Sequence, residues 1–208
     1  MKFWNIHQNT DEWLNIRAGK VTGSKFGTFM SNDPGGFGDP AKRYAVQVAI
    51  ERITGIRSVQ GFSNEHTERG HEQEPIAKKA YEYRYFVDVL PGGFFDCGDF
   101  GDSPDGLIND DGVIEIKSVI APVHYATLKR GSFDPTYTWQ LAGHLDASGR
   151  DWVDFISYCA EFPEGKDLFV HRIYRDDFKE KINRLRERRA KFLDYIKQIE
   201  QDIINYEY

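Results

Sequence analysis

Asp105, Glu115 and Lys117 are the strongest candidates in the sequence for a metal-binding or catalytic site. Asp105 lies in the segment Ser103-Pro104-Asp105-Gly106, and nine residues separate it from Glu115-Ile116-Lys117. Glu115 and Lys117 are two positions apart, so on a strand their side chains share one face. Burying a carboxylate beside an ammonium is costly unless each charge has a partner. A divalent metal ion and a phosphate would supply those partners.

Each of the two motifs also has a purely structural interpretation. Pro104-Asp105-Gly106 is a common turn sequence, because Pro presets φ, Asp bonds its own backbone and Gly allows positive φ. Glu115 and Lys117 alone are also typical of an ion pair on a solvent-exposed face of a sheet. The two motifs together, flanked by short apolar strands, resemble a nuclease signature. In that signature Asp and Glu hold Mg²⁺, and Lys lies beside the attacking water.

The length and composition are typical of a globular protein with a single domain. The 208 residues are 40% hydrophobic, 14% aromatic and 29% charged, and we expect one domain over residues 1–208. We find no apolar run long enough for a membrane span and no signal-peptide core, so we expect a cytoplasmic protein without membrane contact. Two cysteines, Cys97 and Cys159, argue against a disulfide framework and exclude a four-cysteine metal site within the chain.

The net charge of −6 is unusual for a protein that binds nucleic acid. The distribution is uneven, since residues 179–191 contain seven Lys or Arg against two Glu, which gives +5 there and −11 elsewhere. Basic surface can therefore coexist with a negative total, and net charge does not decide the function.

Periodicity and turn residues predict a mixture of helices and strands. Helices are predicted at 10–17, 39–54, 65–84, 121–129, 135–147 and about 176–204, and strands at 85–90, 93–96, 103–108, 113–119, 152–160 and 168–174. Pro75 is expected to kink the third helix or to divide it into two near Glu74. The turn Asn109-Asp110-Asp111-Gly112 predicts a hairpin that brings Asp105 near Glu115. The fold class is α/β or α+β, with a central mixed sheet covered by helices on both faces.

Six segments in a fixed order resemble the phage lambda-type exonuclease family (the YqaJ-type viral recombinases), a branch of the PD-(D/E)xK nucleases. The resemblance spans about residues 12–176. The matching segments are Arg17-Ala18-Gly19-Lys20-Val21-Thr22-Gly23-Ser24, Arg69-Gly70-His71-Glu72-Gln73-Glu74-Pro75, Ser103-Pro104-Asp105-Gly106, Glu115-Ile116-Lys117, Tyr137-Thr138-Trp139-Gln140 and Gly149-Arg150-Asp151-Trp152. The resemblance implies a restriction-endonuclease-like core in a single nuclease domain.

The resemblance also implies the catalytic roles. Asp105, Glu115 and the backbone oxygen of Ile116 would bind Mg²⁺, for which Mn²⁺ could substitute, and oxygen ligands suit such hard cations. Glu74 would complete the acidic cluster and help to hold a second metal, although it could equally be a surface acid. Lys117 would orient or deprotonate the attacking water.

Four further residues match family positions that bind a terminal 5′-phosphate: Arg17, Ser24, Ser103 and Gln140. Their chemistry is suitable, because Arg offers a planar fork of donors and Ser and Gln add neutral ones. The structural alternatives are a helix-end cation for Arg17, a turn cap for Ser103 and a satisfied core amide for Gln140. Five histidines show no zinc-ligand spacing, and none is assigned a role: His66, His71, His124, His144 and His171.

By resemblance, the chain would digest one strand of double-stranded DNA from a 5′ end for single-strand-annealing recombination. It would form a homotrimeric ring around DNA ends in a bacterial cytoplasm, be of phage or prophage origin, and act with a single-strand annealing protein. Two other functions stay open, an endonuclease of the same fold that cuts internally and a non-catalytic module that binds DNA ends.

Overall fold

The computed structural model describes residues 1–58 and 65–207, without the side chains of residues 65–68 and 71. Seven α-helices lie within these ranges: α1 (Asp11–Arg17), α2 (Phe26–Met30), α3 (Asp39–Thr54), α4 (Glu65–Tyr85), α5 (Ala121–Arg130), α6 (Thr138–Ser148) and α7 (Lys179–Ile204). Nine strands accompany them: β1 (Lys2–Trp4), β2 (Val21–Thr22), β3 (Leu90–Pro91), β4 (Phe94–Asp96), β5 (Phe100–Asp102), β6 (Gly106–Ile108), β7 (Gly112–Ser118), β8 (Trp152–Tyr158) and β9 (Leu168–Tyr174).

The larger sheet has five strands in the order β3-β6-β7-β8-β9. Its central strands β7 and β8 pair in parallel over their whole length, and the other neighbours pair antiparallel. All seven residues of β8 are buried, as expected for a strand covered on both faces. Glu115 and Lys117 lie on β7, one of the two central strands of this sheet.

The side chains of β8 alternate between two apolar layers on opposite faces of this sheet. Val153 and Phe155 join a large core cluster with residues of α2, α3, α6 and α7. Trp152 and Ile156 join a smaller cluster with residues of α4, including Tyr81. Helices therefore cover both faces, and the predicted mixed α/β class is confirmed.

The remaining strands form a second, smaller sheet in the order β1-β4-β5-β2, in which only β2 and β5 run parallel. The sequence pattern predicts one central sheet and gives no indication of β1, β2 or β5. These strands have two or three residues each, too few to show alternation. The small sheet matters for the site, because β5 ends at Asp102, immediately before Ser103.

Two local expectations differ from the structure. Helix α4 continues through Pro75 as one helix, so the division near Glu74 does not occur. The strand predicted at 85–90 is wrong, because Tyr85 ends α4, Phe86 has a φ of 53° and only Leu90 enters β3. A bulky residue at positive φ cannot continue either a helix or a strand, so the chain turns there.

Helix α7 follows a short 3₁₀ turn at Asp176–Phe178 and packs its apolar face on the core. Its four arginines contact other parts of the molecule. Arg186 and Arg189 pair with Asp146, Arg184 pairs with Asp33, and the buried Arg188 donates to backbone carbonyls between Phe29 and Gly36. The arginines of the positive segment are therefore engaged within the molecule, whereas Lys179, Lys181 and Lys191 are exposed.

Within the two described ranges, no helix combines the length and the apolar character that crossing a membrane requires.

Candidate active site

The hairpin of β6 and β7 brings Asp105 against the strand that carries Glu115. Gly106 pairs with Ile114, and the Asp105 N–H donates to the Ile114 carbonyl at 3.0 Å. The Asp105 carboxylate then accepts the Ile116 N–H at 2.6 Å. The N–H and C=O of one strand residue point to the same side, so the Ile116 carbonyl faces the Asp105 side. The sequence prediction that the hairpin joins these two motifs is confirmed.

Glu115 is held by three side chains although only 2% of its surface is exposed. Lys117 Nζ lies 2.5 Å from Oε1, and Gln140 Nε2 donates to the same oxygen at 2.8 Å. The His144 ring contacts the other oxygen, Oε2, at 2.7 Å. Burial alone would raise the pKa of Glu115, but Lys117 and His144 lower it to about 2. Glu115 is thus a fixed, fully ionised carboxylate.

The pKa of Asp105 is shifted in the opposite direction to that of Glu115. Burial, together with the negative charges of Glu115 and Glu74, raises the pKa of Asp105 well above its usual range. Burial is the largest cause, and a bound cation would stabilise the ionised carboxylate of Asp105 against both burial and its acidic neighbours. The oxygen donors of Asp105, Glu115 and the Ile116 carbonyl fit a hard divalent ion.

Glu74 reaches the same cavity from α4, and its carboxylate lies 3.6 Å from Lys78 Nζ. Across the part of the chain that is described, however, no three His, Cys, Asp or Glu side chains are arranged to hold a metal by themselves. Asp105 and Glu115 would therefore need the backbone carbonyl to complete a ligand set. A metal-binding role for Glu74 stays a prediction.

A single cavity of about 580 Å³ joins all the residues selected from the sequence. Its catalytic part contains Glu74, Asp105, Glu115, Ile116 and Lys117, and its other residues include Arg17, Ser24, Ser103 and Gln140. These residues come from segments more than a hundred positions apart, so their convergence is a property of the fold.

Arg17 ends α1 and lies over the indole ring of Trp13, 3.5 Å from the ring centroid. Burial lowers the pKa of Arg17 to about 10, against the opposing influence of Tyr44 and Asp102. Within residues 1–58 and 65–207, its guanidinium donates to no protein acceptor. The helix-end interpretation, in which Arg17 would bond carbonyls of α1, is therefore wrong, and its donors are available to an anion.

Trp13 also donates its indole N–H to Ser103 Oγ at 2.8 Å. Since Ser103 accepts this bond, its own hydroxyl hydrogen can point into the cavity. Ser24 lies in the 3₁₀ turn Gly23–Lys25 at the cavity wall. These positions suit a phosphate, although this role for Ser24 and Ser103 stays a prediction.

The amide of Gln140 contacts Glu115 instead of extending toward Arg17. Its placement thus combines the two interpretations given above, because it is a satisfied amide that also lines the site. Its proposed contact with a terminal phosphate stays a prediction.

His144 and Asp102 belong to the site but were not predicted from the sequence. His144 is wholly buried in α6, one turn after Gln140, and contacts Asp102 at 2.5 Å through Nδ1 and Glu115 through Nε2. Burial would lower the pKa of His144, but the two carboxylates raise it to about 10. The available signal was the i, i+4 spacing of Gln140 and His144, which places both on one helix face.

Residues 12–151 match the model of the YqaJ-like viral recombinase domain. No curated protein matches the sequence significantly.

Solved structures extend the similarity over most of the chain. The alkaline exonuclease LHK-Exo from Laribacter hongkongensis is 31% identical, with a TM-score of 0.83 over 93% of this chain and 96% of that one. LHK-Exo in complex with dAMP is similar to the same extent, at 32% identity, a TM-score of 0.83 and the same coverage of both chains. A phage-related exonuclease from Haemophilus somnus 129PT is 16% identical, with a TM-score of 0.70 over 88% and 96%, and supports the fold alone.

The matched domain model covers more than half of the sequence, and the family resemblance drawn from the six motifs is confirmed. The chain belongs to the YqaJ-like viral recombinase family.

Proposed function

We propose that the protein is a Mg²⁺-dependent 5′→3′ exonuclease that digests one strand of double-stranded DNA from its end. The observation that carries this proposal is the shared cavity, which combines an acidic cluster with a partly buried arginine that donates to no acceptor among the described residues. The similarity to an alkaline exonuclease at 31% identity supports the same reaction class.

Asp105, Glu115 and the Ile116 carbonyl would hold the cation, and Mn²⁺ could replace Mg²⁺. When bound, the metal would stabilise the attacking and leaving oxygens of an in-line displacement at phosphorus. Lys117 is suited to donate to water or to phosphate oxygens, because Glu115 and Asp105 raise its pKa despite burial. Its ammonium form would offset phosphate charge, and the side chain would orient or deprotonate the attacking water.

The end of the DNA would be recognised by Arg17, Ser24 and Ser103, with Gln140 nearest to the metal ligands. A terminal phosphate monoester carries more charge than a diester within the strand, so the partly buried Arg17 would favour the end. Such a pocket would fix the direction of digestion, since the cleaved bond lies a set distance from the held phosphate. An endonuclease, which cuts within the strand, would not need a pocket for a terminal phosphate.

The assembly would be a homotrimeric ring that encloses DNA and works with a single-strand annealing protein in recombination of phage or prophage origin. A ring would explain how a chain of net charge −6, whose four α7 arginines are engaged in intramolecular contacts, stays on a polyanion. Sedimentation at micromolar concentration should report a trimer, and a strict monomer that still digests long DNA processively would oppose the ring.

The function is tested with linear and circular duplexes of the same sequence, with Mg²⁺ or EDTA. We expect mononucleotides from the linear duplex only, only with Mg²⁺, and none from Asp105→Ala. Cleavage of the circle would indicate an endonuclease. Metal-independent binding of ends without cleavage would indicate a non-catalytic module.

A further inference from the structure

Asp102, which lines the cavity, and His144 behind it form a buried polar pair. Asp102 is 2% exposed and His144 is fully buried. The two ring nitrogens of His144 lie 2.5 Å from Asp102 Oδ2 and 2.7 Å from Glu115 Oε2. Carboxylate oxygens only accept hydrogen bonds, so each ring nitrogen donates one. His144 therefore bridges the two carboxylates.

Asp102 also borders both segments that carry the serines of the end pocket. It directly precedes Ser103 at the end of β5. On its other side it packs against Gly23, where an added Cβ would lie 1.8 Å from Asp102 Oδ1. Gly23 directly precedes Ser24, so Asp102 is next to one serine in the chain and packs against the residue before the other.

Glu115 is the other end of this bridge. Gln140 and His144, one turn apart on α6, hold different oxygens of its carboxylate. This arrangement fixes the rotation of the side chain about its last bond. His144 thus connects the orientation of Glu115 to the position of Asp102, and through Asp102 to the serines.

We propose that Asp102 and His144 are positioning residues that set the geometry of the metal ligands relative to the DNA-end pocket. The inference rests on the proposed function, because the pocket and the metal ligands acquire their roles from it. Neither residue touches the DNA or the reacting atoms in this account. Side chains that orient metal ligands commonly affect metal affinity about 10- to 100-fold.

The test uses equilibrium binding, so it does not depend on turnover. The variants are His144→Gln, Asp102→Ala and the conservative Asp102→Asn. His124→Gln is the matched control, because His124 is equally buried but bonds Ser157 and the Lys166 carbonyl outside the cavity. Thermal unfolding of each variant sets a temperature at which all are folded.

The first readout is Mn²⁺ binding measured by calorimetry without DNA. We expect His144→Gln to bind Mn²⁺ about tenfold more weakly than wild type, and His124→Gln to match wild type. The second readout is binding of short duplexes with 5′-phosphate or 5′-hydroxyl ends in EDTA. Asp102→Ala should reduce the ratio of the two affinities about threefold or more, because the serines lose their common support.

Asp102→Asn distinguishes positioning from a general loss of packing. Asparagine has nearly the same shape and can donate to Nδ1 of a neutral His144, which then donates through Nε2 to Glu115. This variant should therefore stay close to wild type in both readouts.

Three results would overturn the proposal: Mn²⁺ affinity of His144→Gln equal to that of His124→Gln, an unchanged end preference in Asp102→Ala, or an Asp102→Asn defect as large as that of Asp102→Ala. A wild type that binds both ends alike would instead contradict the proposed end pocket. In that case the Mn²⁺ measurement still decides the role of His144.

Discussion

The Arg17 guanidinium stacks on the Trp13 indole at 3.5 Å, and both residues belong to α1 at i and i+4. The face of the indole supports Arg17, and its N–H donates to Ser103 at 2.8 Å. One aromatic side chain therefore fixes two residues of the proposed end pocket that are 86 positions apart in the sequence. Trp13 was not among the residues selected from the sequence, because an amphipathic helix gives every apolar residue a simpler role in the core.

Trp13→Phe should separate the two contributions of the indole. Phenylalanine keeps an aromatic face for Arg17 but cannot donate to Ser103. The loss of one hydrogen bond of about 0.5–1.5 kcal/mol should slow digestion of 5′-phosphorylated duplex roughly two- to tenfold. Initial rates on 5′-phosphate and 5′-hydroxyl ends provide the measurement. An equal loss on both ends would show that the bond to Ser103 has no part in end recognition.

Arg17→Ala should remove most of the preference for a phosphorylated end. A charge-assisted contact in a partly buried pocket is worth about 1.5–3 kcal/mol, so the rate should fall about tenfold or more. The response to Mg²⁺ should be unchanged. Arg184→Ala is a suitable control, because Arg184 pairs with Asp33 away from the cavity. If Arg17→Ala keeps the wild-type preference, the end pocket lies elsewhere.

Asp105→Ala, Glu115→Ala and Lys117→Ala should each abolish cleavage while leaving a folded protein. The three residues act together, so a triple variant should lose little more activity than any single one. Ca²⁺ in place of Mg²⁺ should allow DNA binding and stop turnover, because its coordination is looser and higher. More than a few per cent of wild-type activity in Glu115→Ala, purified free of metal, would contradict the assignment.

The hydrogen bonds of the Glu51 carboxylate predict that the free energy of unfolding depends on pH. This dependence does not involve the metal ligands. Its carboxylate accepts hydrogen bonds from the Gly19 and Ser58 backbone N–H groups and from Gln47, at 2.8–3.1 Å. Burial would raise the pKa of Glu51, but these bonds lower it. The stabilisation should be complete above the unfolded pKa of about 4.3 and should disappear as the pH falls through the lower folded value.

Glu51→Gln should therefore reduce the free energy of unfolding at pH 7 by roughly 1.5–3 kcal/mol. The deficit relative to wild type should shrink as the pH is lowered below about 4. Urea unfolding across this pH range provides the measurement, with the exposed Glu187→Gln as control. A deficit of the same size at every pH would show that the ionised carboxylate is not its source.

The sequence predicted the elements with strong local patterns. The hairpin at Asn109–Gly112 and the positions of Asp105, Glu115 and Lys117 follow from turn residues and from alternation along a strand, and the structure agrees. Helix α7 and strand β9 were located for the same reason, since each is long enough to show its period.

Features that depend on distant contacts were not predictable in this way. The network of Asp102, His144 and Glu115 joins β5, α6 and β7, and nothing local to His144 identifies its partners. Likewise, the sequence of α7 predicts a basic surface, because the acceptors of its arginines lie on distant segments. The i, i+4 pair of Gln140 and His144 becomes informative only when a buried carboxylate faces it.

The direction of digestion tests the account most directly. One strand of a linear duplex is labelled at its 5′-terminal nucleotide with one isotope and at its 3′-terminal nucleotide with another, and both ends carry 5′-phosphates. With Mg²⁺ and wild-type protein, we expect the 5′ label to appear first as a mononucleotide. Release of the 3′ label first, or simultaneous release of both labels in larger fragments, would contradict a 5′→3′ exonuclease.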